Sequence, residues 1–425
     1  MPRSGSPCLL RDYRPLPPST SSSIMAMYAE LYARSNRLTG PRAAVLSVAR
    51  GMIGLPRRVR IAVSRHGRAA RDSSGRSRAL QLADICRCWW ENGLMPMDYY
   101  AGQLARHAGR PEIFAYLPWP VIANVVVALQ YETFGPLPFA LNDKAAVADW
   151  CGRNGFDCPR SIVLDFGAPA PAVEEAAGLG DRLFVKPRSA MAGCNAELWE
   201  RAGPDEWRWG ERRLSTRELH DWFAERATAE TNGIIIQEVL ANHAGLAEQC
   251  GSALSTCRVI TLLNERGEPE VVEGRWRMSS DPHAVVDNFY AGGMHWDSRD
   301  YETGEIAFGV LQDAEATQKT VRSHPVSGRA MAGTRHPFWP EIRDLALDAH
   351  RRLEGVLFVG WDIAMSSRGP VIIEANVPSG MNPKNQMVWD GIAHSRLGEI
   401  LAWRARGWIR ENLESGSRRR IAETS

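Results

Sequence analysis

Three oxygen-bearing side chains interrupt apolar stretches near the end of the chain. Asp362 lies within one stretch, and Glu374 and Asn376 lie within the next. Alternate side chains of a strand share a face, so Glu374 and Asn376 should point the same way, while Ile373 and Ala375 point into the opposite layer. Buried acids are rare unless they are paired or bind a metal.

These three residues predict a metal site if the strand of Asp362 pairs beside that of Glu374. Two carboxylates and an amide oxygen suit Mg²⁺. The other interpretation is three polar strand ends that face water.

Lysine is scarce in this sequence. Only four of its 51 basic residues are lysines, and the rest are arginines. A compact ammonium is not interchangeable with a planar guanidinium, so a retained lysine is a candidate for a position that needs a point charge; chance retention at the surface is the alternative. Lys186 ends an apolar stretch and precedes the small-residue segment 189–193, whose backbone amides could approach a phosphate. The four lysines are Lys144, Lys186, Lys319 and Lys384.

Arg258 lies inside the apolar, β-branched stretch from Thr256 to Leu263. A buried cation requires an anion nearby. This anion is either a structural carboxylate or the phosphate of a ligand, and the sequence leaves both open.

The elements that must position these residues follow from apolar runs and turn signals. Asn142 and Asp143 suit a helix N-cap before Lys144, and this helix should stop before Gly155. The segment 233–240 is nearly all apolar, which predicts a central strand covered on both sides. Strands and helices mix without strict alternation, which predicts an α+β (mixed α/β) architecture. Further strands are predicted at 161–164, 182–186, 256–263, 269–278, 357–365 and 371–375, and further helices at 340–353 and 392–408.

Composition and motifs exclude several classes of protein. Neither a G-x-x-x-x-G-K-[ST] loop nor a G-x-G-x-x-G loop occurs. The eight cysteines form no C-x-x-C pair, so we expect free thiols rather than a zinc site or a disulfide framework. The longest apolar window, Leu117 to Leu129, is too short to span a bilayer, and the N-terminus lacks the zones of a signal peptide. We therefore expect a cytoplasmic protein without a transmembrane segment.

The charge of the chain is uneven. Residues 1 to 80 contain 15 arginines, no lysine and three acids, a formal charge of +12, whereas the whole chain carries +2 and the remainder therefore −10. Such a basic arm could contact an anionic membrane surface peripherally or bind nucleic acid, although a solvated leader is the commoner case. We expect no specific nucleic-acid partner, and the oligomeric state stays open.

The order of several motifs resembles the ATP-grasp superfamily, and more narrowly its sugar-transfer associated proteins. The resemblance covers roughly residues 138 to 390; no single motif is specific, but their order and spacing together are. The motifs are Asn142-Asp143-Lys144, Phe184 to Pro187, Gln237 to Leu240, Leu254 to Thr261, Asp287 to Gly293, His324 to Gly328, Gly360 to Ala364, and Glu374 to Asn376.

This resemblance implies a two-lobed ATP-grasp fold with a helical N-terminal region. The expected parts are a disordered basic leader (1–24), the helical region (25–130), a first lobe with a small lid subdomain (138–240), a second lobe that carries the metal site (241–410) and a flexible tail (411–425). One departure from the family is that the segment after Lys186 has only Gly193 where many relatives carry several glycines.

The resemblance also implies roles for individual residues. Lys144 would contact the α-phosphate of ATP, and Lys186 the α- and β-phosphates. Arg258 would act with Lys186 in catalysis by stabilising the transferring phosphoryl group. One or two Mg²⁺ ions, or Mn²⁺ in their place, would be held by Asp362, Glu374 and Asn376. The adenine site would consist of Gln237, Glu238, Val239 and Leu240, and the ribose contact would be Glu248 or His243. The acceptor side would consist of Arg275, Arg277, Asp287 and Asn288. Lys384 is a further candidate for contact with phosphate or substrate, and Lys319 is expected at the surface.

The implied activity is that of an ADP-forming carboxylate–amine ligase. Such an enzyme phosphorylates a small-molecule carboxylate with ATP and joins the acyl phosphate to an amine or a similar nucleophile. The expected setting is cell-surface polysaccharide or small-molecule biosynthesis. The alternative is a non-catalytic ATP-binding regulatory or scaffold protein associated with polysaccharide assembly.

Overall fold

The computed structural model describes most of the chain. The described residues are 20–39, 41–107, 115–165, 175, 178–189, 195–250, 253–279, 287, 289, 293–312 and 318–414, without the side chains of 20, 35–39, 41–53, 247–249, 413 and 414.

Helices in the described part of the chain lie mainly before residue 155 and after residue 338. They are α1 (Thr20–Thr39), α2 (Pro41–Ser74), α3 (Arg78–Asn92), α4 (Pro96–Ala101), α5 (Trp119–Phe134), α6 (Lys144–Asn154), α7 (Thr216–Ala229), α8 (Ala244–Cys250), α9 (Trp339–Arg352), α10 (Pro383–Gln386) and α11 (Arg396–Ile409). Short 3₁₀ turns occur at Leu104–His107, Met387–Trp389 and Ile392–His394, and Arg410–Glu414 is a π-helical segment.

The described strands form two sheets whose recorded pairings are all antiparallel. The small sheet has the order β1-β6-β2-β3-β4-β5, and the large sheet has the order β11-β10-β9-β8-β7-β12-β13. The strands are β1 (Ser161–Leu164), β2 (Arg182–Pro187), β3 (Glu197–Gly203), β4 (Glu206–Trp209), β5 (Arg212–Leu214), β6 (Ile234–Glu238), β7 (Thr256–Leu263), β8 (Pro269–Ser279), β9 (Gly293–Asp300), β10 (Glu305–Gln312), β11 (Gln318–Val321), β12 (Phe358–Ser366) and β13 (Gly369–Asn376). The fold is α+β, as the sequence predicts.

Local signals at the element ends behave as the sequence predicts. The Asp143 carboxylate accepts a hydrogen bond from the backbone N–H of Ala145 (3.0 Å) and caps α6. This helix ends at Gly155, whose φ of 73° is left-handed and favours glycine. The predicted central strand is β6, which lies between β1 and β2 with all five of its residues buried.

The N-terminal helices cover part of the large sheet. In α1, Ile24 and Met27 are fully buried, and this helix packs against α5 and α11. The boundary predicted for the leader is therefore wrong, because residues 20–24 belong to α1; the serines at its start concealed the apolar stripe. The predicted start of the tail at residue 411 is too early, because residues 411–414 are π-helical; the remainder of the tail lies outside the described residues.

The two faces of the large sheet are covered differently. One face packs tryptophans and aliphatic residues against α9, with Trp276, Trp296 and Trp361 almost completely buried. The other face is apolar at one end, where α1, α5 and α11 cover Ile260 and Leu262. The polar end of this second face carries the site described below. No described helix is long and apolar enough to cross a membrane.

Candidate active site

The predicted metal ligands share one face of the large sheet. Asp362 of β12 pairs directly with Glu374 of β13, and Gly360 pairs with Asn376. Side chains directly opposite each other in an antiparallel pair point to the same face. The register therefore brings together Asp362, Glu374 and Asn376, as the sequence predicts.

A β-bulge modifies the layer behind these residues. The register shifts after Asp362, so that Ile363 pairs with Ile372 and Ile373 is the extra residue. Ile372 and Ala375 pack in the core beneath the site, whereas Ile373 is only half-buried. The prediction that Ile373 points into the core layer is wrong, because strict alternation fails at a bulge.

Asp362 is held by two arginines. Arg258 makes a bidentate ion pair with it, through Nε to Oδ1 and through Nη2 to Oδ2 (3.0 Å). Arg277 adds Nη2 at 2.7 Å from Oδ2. Burial alone would raise the pKa of Asp362, but the two guanidinium groups outweigh it and lower this pKa to about 2. Of the two anions that the sequence leaves open for Arg258, the structure therefore shows the structural carboxylate. Arg258 Nη1 also donates to Ser379 Oγ (2.7 Å).

The two lysines predicted to contact phosphate meet at Glu374. Lys186 Nζ, at the end of β2 in the small sheet, lies 3.4 Å from Glu374 Oε1, and Lys144 Nζ lies 3.9 Å from the same oxygen. Both lysines are buried. Burial lowers the pKa of Lys186, and the Glu374 carboxylate opposes that shift. Charged groups from both sheets therefore converge at one point.

Arg188, which the sequence analysis overlooked, fixes the position of Lys144. Its guanidinium donates to Asp143 through Nε (3.1 Å) and Nη2 (2.6 Å), and it also pairs with Asp165. The Lys144 ammonium donates in turn to the backbone carbonyl of Arg188 (3.2 Å). Lys144 is the first residue of α6, so this contact ties the start of the helix to the end of β2.

The residues predicted at the adenine site lie at the end of β6. The side chain of Gln237 is on the same face as Lys186 and donates to Ser161 Oγ (3.0 Å). Val239 and Leu240 follow the strand and are half-buried. The Glu238 side chain instead points to the opposite face of the small sheet, since it lies next to Gln237 in the strand.

Glu238 joins the two sheets. Its carboxylate accepts from Arg160 Nε (2.9 Å) before β1 and from Arg368 Nη1 (2.8 Å) in the β12–β13 turn. Burial raises the pKa of Glu238, but these hydrogen bonds lower it overall. Arg160 and Arg368 were not predicted as site residues, because their role depends on contacts between distant segments.

The predicted acceptor residues divide into two groups. Arg277 lies at the centre of the site and contacts Asp362 and Thr256 Oγ1 (2.6 Å), while the Asp287 carboxylate accepts from Thr256 Oγ1 (2.6 Å). Arg275 lies two residues before Arg277 on the same face of β8. It pairs with Glu273, and its Nε donates to Asp297 Oδ1 (2.5 Å). All three residues are buried. Asn288 lies outside the described residues.

A buried polar cluster continues from Arg275 along the same face. His295 Nε2 is 3.4 Å from Asp297 Oδ2, and burial lowers the pKa of His295 to about 4. Burial raises the pKa of Glu273 to about 7. Lys384 is buried with its ammonium 3.5 Å from the ring centroid of Phe289, and burial together with Arg275 lowers its pKa to about 7. Lys384 is therefore close to the predicted acceptor side.

Three predicted residues remain: Glu248, His243 and Lys319. Glu248 belongs to α8, and its side chain is outside the described residues. His243, the alternative ribose contact, accepts from the backbone N–H of Gly245 (3.1 Å) and packs edge-on against Phe338. Lys319 is exposed, as predicted, and lines a cavity of about 400 Å³ between α2, α4 and β11 that is separate from this site.

The donor set fits magnesium. Of the roughly four lone-pair positions of a carboxylate, the arginines use three on Asp362, which leaves one for a cation. The Asn376 Nδ2 atom is buried without a hydrogen-bond partner among the described residues, and rotation of this amide would present its oxygen instead. No three His, Cys, Asp or Glu side chains cluster as metal ligands in the described part of the chain.

Comparison with known proteins places the chain in a family. The family model described as sugar-transfer associated ATP-grasp matches residues 137–400, more than half of the chain. The chain therefore belongs to the sugar-transfer associated ATP-grasp family.

Solved structures similar to this chain include several ligases. D-alanyl-alanine synthetase A of Vibrio cholerae has 13% identity and a TM-score of 0.39, with 63% of this chain and 65% of that chain covered. A D-alanine–D-alanine ligase of Bacillus anthracis complexed with ATP has 12% identity and a TM-score of 0.36, covering 64% and 68%. An L-amino acid ligase of Bacillus licheniformis has 12% identity and a TM-score of 0.34, covering 66% and 53%. No curated protein matches the chain.

Proposed function

We propose that this protein is an ATP- and magnesium-dependent carboxylate–amine ligase that forms ADP. The observation that carries the proposal is the convergence of Lys144 and Lys186 on Glu374, beside Asp362 and its arginines. Two ammonium groups, two carboxylates and two guanidinium groups at one point suit the charge of a polyphosphate and of its metal ion.

The nucleotide lies between the two sheets. Lys144 binds the α-phosphate, and Lys186 binds the α- and β-phosphates, so both ammonium groups exchange their contact with Glu374 for phosphate oxygens. The segment Gln237 to Leu240 binds adenine, and either Glu248 or His243 binds the ribose. Mg²⁺ or Mn²⁺ would be held by Asp362, Glu374 and Asn376, and when bound it would neutralise charge on the nucleotide phosphates.

The reaction has two steps. An oxygen of the substrate carboxylate attacks the γ-phosphorus of ATP, the bond to the β-phosphate oxygen breaks, and an acyl phosphate and ADP result. The nitrogen of an amine, or a similar nucleophile, then attacks the acyl carbon, the bond from this carbon to the phosphate oxygen breaks, and phosphate leaves together with the proton that the nucleophile loses. Arg258 stabilises charge on the transferring phosphoryl group and acts with Lys186 as a catalytic residue. Phosphoryl transfer relies on such positioning and charge stabilisation and requires no nucleophilic side chain.

The acceptor side lies along β8 and the residues that follow it. Arg277 and Asp287 border the phosphate centre through Thr256, and Arg275 lies farther along the same face. Asn288 is also assigned to the acceptor side. The substrates are a small-molecule carboxylate and a nucleophile. The reaction takes place in the cytoplasm and contributes to the biosynthesis of a cell-surface polysaccharide or of a small molecule.

A screen for substrate-dependent ADP release tests this function. Amino acids and sugar acids are offered singly and in pairs with ATP and Mg²⁺, and mass spectrometry identifies the product. We expect ADP release with at least one pair, its loss in Lys186→Met, and its retention in the control Lys319→Met. If the protein binds ATP but releases no ADP with any pair, the non-catalytic alternative replaces this proposal.

A further inference from the structure

Helix α3 carries apolar residues on both of its faces. Its buried face combines the polar residues Gln81, Asp84 and Asn92 with the apolar residues Ile85, Cys88 and Trp89. Its exposed face carries the charged residues Arg78, Arg87 and Glu91 and a larger number of apolar residues, whereas a helix that faces water normally keeps its apolar residues on the buried stripe. At roughly 3.6 residues per turn, the exposed apolar residues fall within about 160° of the circumference. They are Ala79, Leu80, Leu82, Ala83, Cys86 and Trp90.

Two polar residues of the buried face, Gln81 and Asp84, are held by hydrogen bonds to the neighbouring helices and to Arg76. Gln81 donates to the carbonyl of Gly67 in α2 (3.0 Å) and accepts from Tyr100 in α4 (2.8 Å). Asp84 makes a bidentate ion pair with Arg76 (2.7 and 2.8 Å) and accepts from Tyr99 (3.0 Å). These bonds fix which face of α3 is buried. Leu80, Leu82 and Trp90 are consequently 47%, 44% and 46% exposed.

The neighbouring helix α2 presents a row of arginines. Six exposed arginines fall within about 160° of its circumference at roughly 3.6 residues per turn. They are Arg57, Arg58, Arg60, Arg65, Arg68 and Arg71. The sequence of α2 contains one acid, Asp72. We refer to these arginines together with the exposed apolar residues of α3 as the α2–α3 surface.

We propose that the α2–α3 surface binds peripherally to an anionic lipid bilayer. The arginines of α2 meet lipid phosphates, while Leu80, Leu82 and Trp90 enter the boundary between headgroups and acyl chains. A second copy of this chain does not fit, since apposed α3 faces would bring two arginine rows together. Nucleic acid would complement the arginines but would leave the apolar face in water.

Vesicle sedimentation with the full-length protein tests this proposal. One set of vesicles is pure phosphatidylcholine, and the other contains phosphatidylglycerol in phosphatidylcholine. We expect binding to the anionic vesicles alone, and weaker binding as the NaCl concentration rises, because salt screens the arginines. Equal binding to both sets, or binding to neither, would overturn the proposal.

Two double variants separate the apolar and charged contributions. Leu82→Gln/Trp90→Gln removes apolar contact without changing the charge, and Arg58→Gln/Arg65→Gln removes two charges. We expect each to lower the partition coefficient on anionic vesicles on the order of tenfold. Matched controls are Trp403→Gln, at an exposed tryptophan of α11, and Arg329→Gln/Arg351→Gln, at two exposed arginines elsewhere. Both controls should bind like the parent protein.

Three further results would contradict this assignment. If Leu82→Gln/Trp90→Gln binds anionic vesicles unchanged while folding normally by circular dichroism, the apolar face takes no part. If a single-stranded RNA binds more tightly than the vesicles and only the arginine variant weakens it, the surface recognises nucleic acid. If sedimentation velocity shows a dimer that the apolar variant abolishes, the surface joins two copies. Should the apolar variant misfold, the arginine pair and its control still decide the outcome.

Discussion

The two faces of the large sheet use the same strands for opposite purposes. Trp361 and Asp362 are neighbours in β12, yet Trp361 packs in the core under α9 whereas Asp362 is paired with two arginines on the other face. The same change recurs in β8, where Trp276 packs in the core and Arg277 faces the site. Period-two alternation thus encodes a core and a candidate active site in one stretch of sequence.

This difference has an energetic consequence. Core-face residues stabilise the fold in proportion to the apolar area that they bury. Site-face charges are costly to bury, and their mutual pairing offsets that cost without providing much net stability. Removing one partner of a buried ion pair is nevertheless destabilising, so stability alone does not distinguish the two faces. Substitutions should instead separate by ADP release, which site-face changes should abolish and core-face changes should leave intact.

The largest effect is expected for Asp362→Ala. This change leaves Arg258 and Arg277 without their carboxylate, so the free energy of unfolding should fall by about 3–5 kcal/mol and ADP release should be lost. Urea unfolding and the ADP assay measure the two effects. The control Asp344→Ala breaks an exposed pair with Arg343 and should cost below about 1 kcal/mol. A similar small cost for Asp362→Ala would show that the site-face arginines do not depend on it.

On the core face, Trp361→Ala should lower the free energy of unfolding by about 3–5 kcal/mol. Trp361 is fully buried, and its Nε1 donates to Thr261 Oγ1 (2.9 Å). Its removal leaves a cavity rather than an unpaired charge, so ADP release should persist below the unfolding temperature. The control Trp403→Ala changes a tryptophan that is 44% exposed and should cost less. Loss of activity in a folded Trp361→Ala protein would contradict the separation of the two faces.

A smaller effect is expected from pH. Burial lowers the pKa of His350, behind the core face, and of His295, on the site face, from 6.5 to about 4. The unfolded chain binds protons more readily in this window, so stability should fall as the pH decreases from 6.5 towards 4, by at most about 1.4 kcal/mol per pH unit for each histidine. Urea midpoints at several pH values measure this slope. It should decrease in His350→Gln, and an unchanged slope would exclude His350 as its origin.

The smallest effect is expected for Ile363→Val. Ile363 is fully buried in the core behind Asp362. Loss of one methyl group should cost about 1 kcal/mol of unfolding free energy and leave kcat for ADP release unchanged. A drop in kcat would show that packing behind the site controls its geometry.

The candidate metal ligands could be predicted from sequence because local patterns define them. Apolar runs mark β12 and β13, and polar residues within such runs are unusual enough to identify Asp362, Glu374 and Asn376. The position of Ile373 could not be predicted, since the bulge depends on the pairing of β13 with β12.

Other parts of the site depend on contacts between distant residues. Glu238 binds Arg160 and Arg368, which lie 78 and 130 positions away. Strand β9 was missed because His295 and Asp297 give it a polar pattern, although both are buried next to Arg275 of β8. In both cases the charged partners lie in different segments of the chain, so the sequence does not show which charges pair.

The most direct test of the proposed site is Glu374→Gln measured with Ile372→Val. The first change removes the charge that meets both lysines, and the second trims a buried residue of the same strand on the core face. With a substrate pair from the screen, we predict that Glu374→Gln lowers kcat for ADP release at least about a hundredfold while the protein stays folded, and that Ile372→Val retains kcat. Undiminished ADP release by Glu374→Gln would contradict the proposed site.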